Sequence, residues 1–138
     1  MRVVVDTNVV ISGIFFSGPP YKILKAWNDG LIQMLVSEEI LYEYFRVGRS
    51  LGLLHPLIDI ERILELICIN SEFVAVKDLP EPVSADSTDD KFISCAVHGR
   101  SKIIISGDKH LLQLTGFKGI EILKPRDFVT KYLGETRK

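Results

Sequence analysis

The strongest constraint on the fold is a run of three valines that ends abruptly in polar residues. Val3–Val5 is consecutive β-branched sequence, and Asp6, Thr7 and Asn8 follow it directly. Such a run predicts a strand that is buried on both faces of a parallel sheet. Ligands of α/β proteins bind in the crevice at the carboxyl ends of such strands. Because an unpaired buried carboxylate is costly, we expect Asp6 to have polar partners or a metal ion in that crevice.

Strand-like and helix-like segments alternate along the rest of the chain. A second fully apolar run, Ile103–Ile105, is followed closely by Asp108. This alternation predicts a parallel sheet covered by helices, with the two most apolar strands at its centre. The predicted strands are 3–5, 31–36, 73–76, 102–106 and 120–123, and the predicted helices are 20–29, 37–47, a helix that begins at Asp59 or Ile60, 91–98, a short helix at 110–114 and 125–133.

Length and composition indicate one ordinary globular domain. The chain has 138 residues, of which 46% are hydrophobic and 25% are charged. We expect a single domain over residues 1–133 and a flexible carboxyl-terminal tail over residues 134–138. The formal net charge is −1, from 17 basic and 18 acidic residues, so binding to nucleic acid would require a local basic patch.

The sequence also predicts a cytoplasmic protein without a membrane partner. It starts directly with a strand and has no signal-peptide pattern. No apolar run approaches the roughly 20 residues that span a bilayer. Cys68 and Cys95 lie in apolar, helix-like segments and are interpreted as buried thiols rather than a disulfide.

Several acids are expected to converge at one edge of the sheet. Asp6 and Asp108 follow neighbouring central strands, and Glu43 lies early in the helix after the second strand. A further cluster, Asp86, Asp89 and Asp90, begins the helix before the fourth strand. Converging carboxylates suit Mg²⁺ or Mn²⁺, which prefer oxygen ligands. The chemistry that fits is metal-assisted hydrolysis of a phosphodiester.

Each acid also has a purely structural interpretation. Asp89, Asp90 or Asp108 could cap the amino terminus of the helix that follows it. Glu43 could pair with Arg46, which lies three residues later on the same helix. These interpretations are not exclusive, since a capping carboxylate can also bind a metal ion.

The ordered set of motifs resembles the PIN domain family over nearly the whole chain. The resemblance rests on four segments: Val4-Val5-Asp6-Thr7-Asn8, Ser37 followed by Glu43, Asp86-Ser87-Thr88-Asp89-Asp90-Lys91-Phe92-Ile93, and Ser106-Gly107-Asp108. The ending Leu123-Lys124-Pro125-Arg126-Asp127-Phe128 is typical of a prokaryotic branch associated with toxin–antitoxin systems. The third motif departs from the family, which often has Asp-Pro-Asp-Asp where this chain has Asp86-Ser87-Thr88-Asp89.

The resemblance implies a fold, an activity and partners. The fold is a three-layer αβα sandwich with a five-stranded parallel sheet in the order 3-2-1-4-5. The activity is that of an endoribonuclease that depends on Mg²⁺ or Mn²⁺ and cleaves RNA. Members commonly form homodimers or higher homo-oligomers, and toxin-type members pair with a small antitoxin protein.

The resemblance also assigns site residues. The acids Asp6, Glu43, Asp89 and Asp108 would be the catalytic, metal-binding set, with Asp90 and Asp86 as alternatives to Asp89. Asn8 and Ser106 would orient these acids. Cations that lie near the motifs are candidates for contact with RNA phosphates: Lys91, Lys109 and Arg46.

Other functions are compatible with parts of the pattern. A non-catalytic domain of the same fold could act as an RNA-binding or assembly module. A phosphatase of the haloacid dehalogenase type would have a second aspartate where this chain has Asn8. A response-regulator receiver would have paired acids near the first strand, and Asp6 has no acidic neighbour.

Overall fold

The structure is a computed structural model that describes residues 1–77 and 90–134. Asp86 and Asp89 of the third motif lie outside the described residues, as does the expected tail beyond residue 134. The elements alternate between strand and helix. In chain order they are β1 (Arg2–Val5), α1 (Thr7–Phe15), α2 (Pro19–Asn28), β2 (Gln33–Val36), α3 (Glu38–Gly52), α4 (Ile60–Asn70), β3 (Glu72–Phe73), α5 (Asp90–Gly99), β4 (Ile103–Ile105), α6 (Lys109–Leu112), a single 3₁₀ turn (Phe117–Gly119), β5 (Glu121–Leu123) and α7 (Pro125–Tyr132).

The five described strands form one parallel sheet in the order β3-β2-β1-β4-β5, which confirms the predicted topology. The central strand β1 pairs with β2, where Val3 lies opposite Met34, and with β4, where Val5 lies opposite Ile105. Val3–Val5 and Ile104 are completely buried. The two apolar strands are therefore neighbours at the centre of the sheet, and the acids that follow them are brought to one edge.

Helices cover the sheet and fill the core. Helix α5 packs against β1, β2 and β4, while α1 packs against both α2 and α3. Helix α3 begins after Ser37, whose hydroxyl accepts a hydrogen bond from the backbone N–H of Ile40 at 3.3 Å. In the part of the chain that the structure describes, none of the helices combines the length and the apolar character needed to cross a membrane.

Three local predictions were wrong. Helix α3 continues to Gly52 instead of ending near Val47, because Gly48 is buried against the side chains of Ile11 and Leu64 and this packing outweighs the low helix propensity of glycine. Strand β3 has two residues and does not reach Val76, since it lies at the edge of the sheet and pairs only with β2. Cys68 is exposed, because α4 packs chiefly against α3 and buries only a narrow stripe.

Helices α1 and α2 approach each other closely at Gly13. An added Cβ there would lie 2.7 Å from the carbonyl oxygen of Pro20 and 2.8 Å from Cδ1 of Leu24. We expect Gly13→Ala to lower the free energy of unfolding by about 1–3 kcal/mol, because the backbone of α2 cannot yield without disturbing the core. Urea denaturation measures this change.

The matched control for this prediction is Gly48→Ala, also inside a helix. Its added Cβ would lie 3.4 Å from the nearest side-chain atoms, which is close to ordinary van der Waals contact. We expect this variant to be neutral or more stable by up to about 1 kcal/mol, the helix propensity difference between glycine and alanine. Equal stability of the Gly13→Ala variant and the wild type would contradict the packing described here.

Candidate functional site

The carboxylate of Asp6 lies at the carboxyl end of the central strand β1. Asp6 is 5% exposed and directly precedes the first turn of α1. The backbone N–H of Asp6 donates to the carbonyl of Ile105 at 2.9 Å, so the pairing of β1 with β4 extends to the acid itself. Asp6 is therefore held by the sheet and not by a mobile loop.

Ser106 links Asp6 to Asp108. The fully buried hydroxyl of Ser106 donates to Oδ2 of Asp6 at 2.6 Å and accepts from the backbone N–H of Asp108 at 2.9 Å. Oδ1 of Asp108 accepts from the backbone N–H groups of His110 and Leu111, at 2.7 and 3.3 Å. Asp108 therefore caps α6, as its structural interpretation predicts, and also lies beside Asp6.

The negative charges of the neighbouring acids affect the pKa of Asp6. The pKa of Asp6 is raised above its ordinary value, first by burial and further by the negative charges of Asp108 and Glu43. The hydrogen bond from Ser106 and the backbone N–H of Asn8 act in the opposite direction. Burial and the neighbouring acids thus make the ionised form of Asp6 less favourable than that of a free aspartate, and a bound cation would act in the opposite direction.

Glu43 has a cationic partner from another helix. Its Oε2 lies 2.7 Å from Nζ of Lys91 on α5, and the two side chains are 22% and 10% exposed. No ion pair between Glu43 and Arg46 occurs among the described residues, so that interpretation was wrong. Lys91 therefore brings a positive charge to the edge where the acids lie.

Tyr44 fixes the helix that carries Glu43 to the central strand. Its side chain is fully buried, and its hydroxyl donates a hydrogen bond to the carbonyl of Val5, the last residue of β1. Burial raises the pKa of Tyr44 well above its ordinary value, so the phenol stays neutral. The sequence indicates only that Tyr44 belongs to the core. Its polar contact depends on how α3 packs on the sheet.

The remaining predicted site residues differ in their exposure to solvent. Asn8 and Lys109 are exposed, at the starts of α1 and α6, and Arg46 is exposed on α3. Asp90 is half-buried and begins α5. Because Asp86 and Asp89 lie outside the described residues, the choice among the three acids of this motif stays a prediction.

Cys95 does not supply a nucleophile to this site. Cys95 is buried in α5, and burial raises the pKa of its thiol to about 12. The thiol is therefore protonated near neutral pH, whereas a nucleophilic cysteine requires the thiolate.

The donor set fits a hard divalent cation. Asp6, Asp108 and Glu43 supply oxygen atoms, and the hydroxyl of Thr7, next to Asp6, is buried without a hydrogen-bond partner among the described residues. Within residues 1–77 and 90–134, however, no three acids, histidines or cysteines are grouped closely enough to hold a metal ion by themselves. Mg²⁺ commonly binds to one or two carboxylates, several waters and substrate phosphates, so an open arrangement of this kind suits it.

The fold and the position of the acids define an α/β protein with an acidic site at the carboxyl edge of a parallel sheet. A comparison with protein-family models matches residues 2–110 to the PIN domain. The chain belongs to the PIN domain family. Members of this family are generally nucleases and typically use divalent metals. No curated protein matches the chain.

Two features of the site are not among those that the sequence analysis predicts. One is the ion pair between Glu43 and Lys91, whose partners are far apart in the chain and meet only through the packing of α3 and α5. The other is a groove between α1 and α3. The sequence does contain a pattern that indicates this groove, because Asn8, Ser12 and Phe16, which line it, recur at intervals of four residues and so share one helix face.

Proposed function

We propose that the protein is a metal-dependent endoribonuclease that hydrolyses phosphodiester bonds in RNA. The observation that carries the proposal is the linkage of Asp6 and Asp108 through Ser106 at the ends of two neighbouring central strands. Like charges held together in this way, one of them buried, are suited to bind a cation. The PIN domain family supports the nuclease class, and the resemblance to its prokaryotic branch supports RNA as the substrate.

The proposed site consists of four acids. Asp6, Glu43 and Asp108 would hold Mg²⁺ or Mn²⁺ together with Asp89, or with Asp90 or Asp86 in its place. When bound, the metal polarises the phosphate and lowers the pKa of a water molecule.

The other residues of the site position these acids and the substrate. Ser106 orients the carboxylate of Asp6 and the backbone of Asp108, and Lys91 holds the carboxylate of Glu43. Asn8 supports Asp6 through its backbone N–H. Lys109 and Arg46 are exposed near the acids and would bind phosphate oxygens along the RNA strand. A water molecule would attack the phosphorus and release a proton to solvent, while the bond from phosphorus to the leaving oxygen breaks and that oxygen takes up a proton from solvent.

The biological setting forms part of the same proposal. We place the protein in the cytoplasm as the toxin of a toxin–antitoxin pair, active as a homodimer or higher homo-oligomer of a single domain over residues 1–133. The carboxyl-terminal segment Leu123–Phe128, which is typical of that branch, supports this assignment.

Removal and return of the metal tests the activity. We expect chelator-treated protein to leave a pool of labelled RNAs intact, and we expect added Mg²⁺ or Mn²⁺ to restore internal cuts. Denaturing electrophoresis locates the cut sites, and single-stranded DNAs of the same sequences serve as a control for the choice of RNA. Cleavage that persists at the same rate in chelator would contradict a metal-dependent mechanism.

A second candidate is a catalytically inactive RNA-binding or assembly module. The ion pair between Lys91 and Glu43 favours it, because a lysine ammonium already neutralises one of the acids. This candidate predicts no RNA cleavage with any divalent metal and no Mn²⁺ binding in calorimetry.

A further inference from the structure

A groove of about 450 Å³ runs between α1 and α3, next to the acids. A volume of this size lies within the range of pockets that bind small organic ligands. Apolar and polar side chains both line it, among them Asn8, Ile11, Ser12, Phe16, Arg46 and Ser50.

Two residues that line the groove lie close in sequence to the acids. Asn8 lies two residues after Asp6, and its backbone N–H acts on the carboxylate of Asp6. Arg46 follows Glu43 by three residues and therefore lies one turn along the same face of α3. A chain bound across the acids would thus pass into the groove between these two helices.

Arg46 brings a positive charge to the groove. Among the described residues it takes part in no ion pair, whereas Arg49, one turn further on, forms two hydrogen bonds of 2.8 Å with Glu61. The guanidinium of Arg46 is exposed and complements the charge of a phosphate. Arg49 is already paired and stacks over Phe45, so it provides a matched control.

Phe16 supplies an aromatic surface in the groove. Its side chain is 54% exposed, and its ring packs edge-on against His55 with centroids 5.8 Å apart. Phe16 and Arg46 line the same groove. An exposed aromatic ring and a cation along one groove suit a single-stranded nucleic acid, since bases stack on the ring while phosphates meet the charge.

We propose that this groove binds the nucleotide of a single-stranded RNA next to the scissile phosphate, with its base against Phe16 and its phosphate on Arg46. Ser12 and Ser50 offer hydroxyl groups to the edge of the base. This inference rests on the proposed ribonuclease function and assigns residues that would hold the RNA beside the acids.

RNA binding tests the proposal in the full chain. Fluorescence anisotropy with labelled six-nucleotide RNAs would be measured in the Asp6→Asn background, which is expected to bind RNA without cutting it. We expect Arg46→Ala and Phe16→Ala each to weaken binding roughly tenfold, as for the loss of one stacking or charge contact. Only Arg46→Ala should also reduce the slope of log affinity against log salt, by about 0.7 for one phosphate contact on a single strand.

The outcomes separate this proposal from the function on which it rests. Arg49→Ala should leave both the affinity and the salt slope unchanged. If the wild type cleaves RNA but neither groove substitution alters binding, the groove proposal is overturned and the nuclease stands. If the substitutions change only the association state in sedimentation, the groove is an interface between protein chains and the proposal is equally overturned. Absence of both cleavage and RNA binding in every variant would overturn both.

Discussion

Asp6→Asn is expected to abolish RNA cleavage and to leave the metal-free fold at least as stable as the wild type. The side chain keeps its size, and the asparagine oxygen can still accept the hydrogen bond from Ser106. The change removes a buried negative charge whose pKa is raised by burial and by Asp108 and Glu43. Loss of groups that only support metal ligands costs roughly 10–100-fold in activity, so loss of a ligand should cost at least about 100-fold.

Two measurements check this prediction together. Cleavage of labelled RNA is followed in Mn²⁺, and urea denaturation is followed in chelator. Asp29→Asn is a suitable control, because Asp29 forms an exposed ion pair with Lys25 away from the acids. RNA cleavage at the wild-type rate by the purified Asp6→Asn protein would overturn the assignment of the site. A marked loss of stability would instead show that Asp6 has a structural role. This would be unexpected for a functional residue, because functional sites more often lower the stability of a protein than raise it.

Lys91→Met is expected to produce the second large effect, on stability without metal. Breaking a fully buried ion pair by removing one partner costs about 3–5 kcal/mol, and the partial exposure of this pair reduces the expected loss to about 1–3 kcal/mol. Without the ammonium of Lys91, the repulsion between the carboxylates of Glu43 and Asp6 would be less compensated by positive charge. Urea denaturation in chelator measures the loss.

The same experiment in Mn²⁺ distinguishes the two candidate functions. If a divalent cation binds the acids, it supplies the missing positive charge, and the stability gap between variant and wild type should narrow. The control is Lys25→Met, which breaks an exposed ion pair and should cost at most about 1 kcal/mol with or without metal. A gap of unchanged size in Mn²⁺ would favour the inactive module.

Much of the fold follows from local patterns in the sequence. The β-branched runs at Val3–Val5 and Ile103–Ile105 predict two central strands, and both are buried side by side. The same reasoning fails where packing overrides local preference. Gly48 should end a helix, but it lies inside α3, where its burial against Ile11 and Leu64 outweighs the low helix propensity of glycine.

The candidate site is predictable in part for the same reason. Strands that are parallel and adjacent bring their carboxyl ends together, so the proximity of Asp6 and Asp108 follows once the two strands are recognised as neighbours. The structural alternative for Glu43, a pair with Arg46, was wrong because it considered only partners on the same helix. Its partner, Lys91, lies on α5, and no spacing rule relates the two positions.

The sequence by itself determined the class of fold, the five strands along the chain and the edge of the sheet where the acids are expected. These depend on periodicity and on the residues that follow each strand, which are local properties. Only the tertiary structure decided that Ser106 bridges Asp6 and Asp108, that Lys91 pairs with Glu43, and that Arg46 lines a groove beside the acids. Side-chain contacts of this kind depend on how the helices pack on the sheet. The residues in contact lie far apart in the chain, and many combinations of side chains are compatible with the same packing, so a local pattern does not identify the partners.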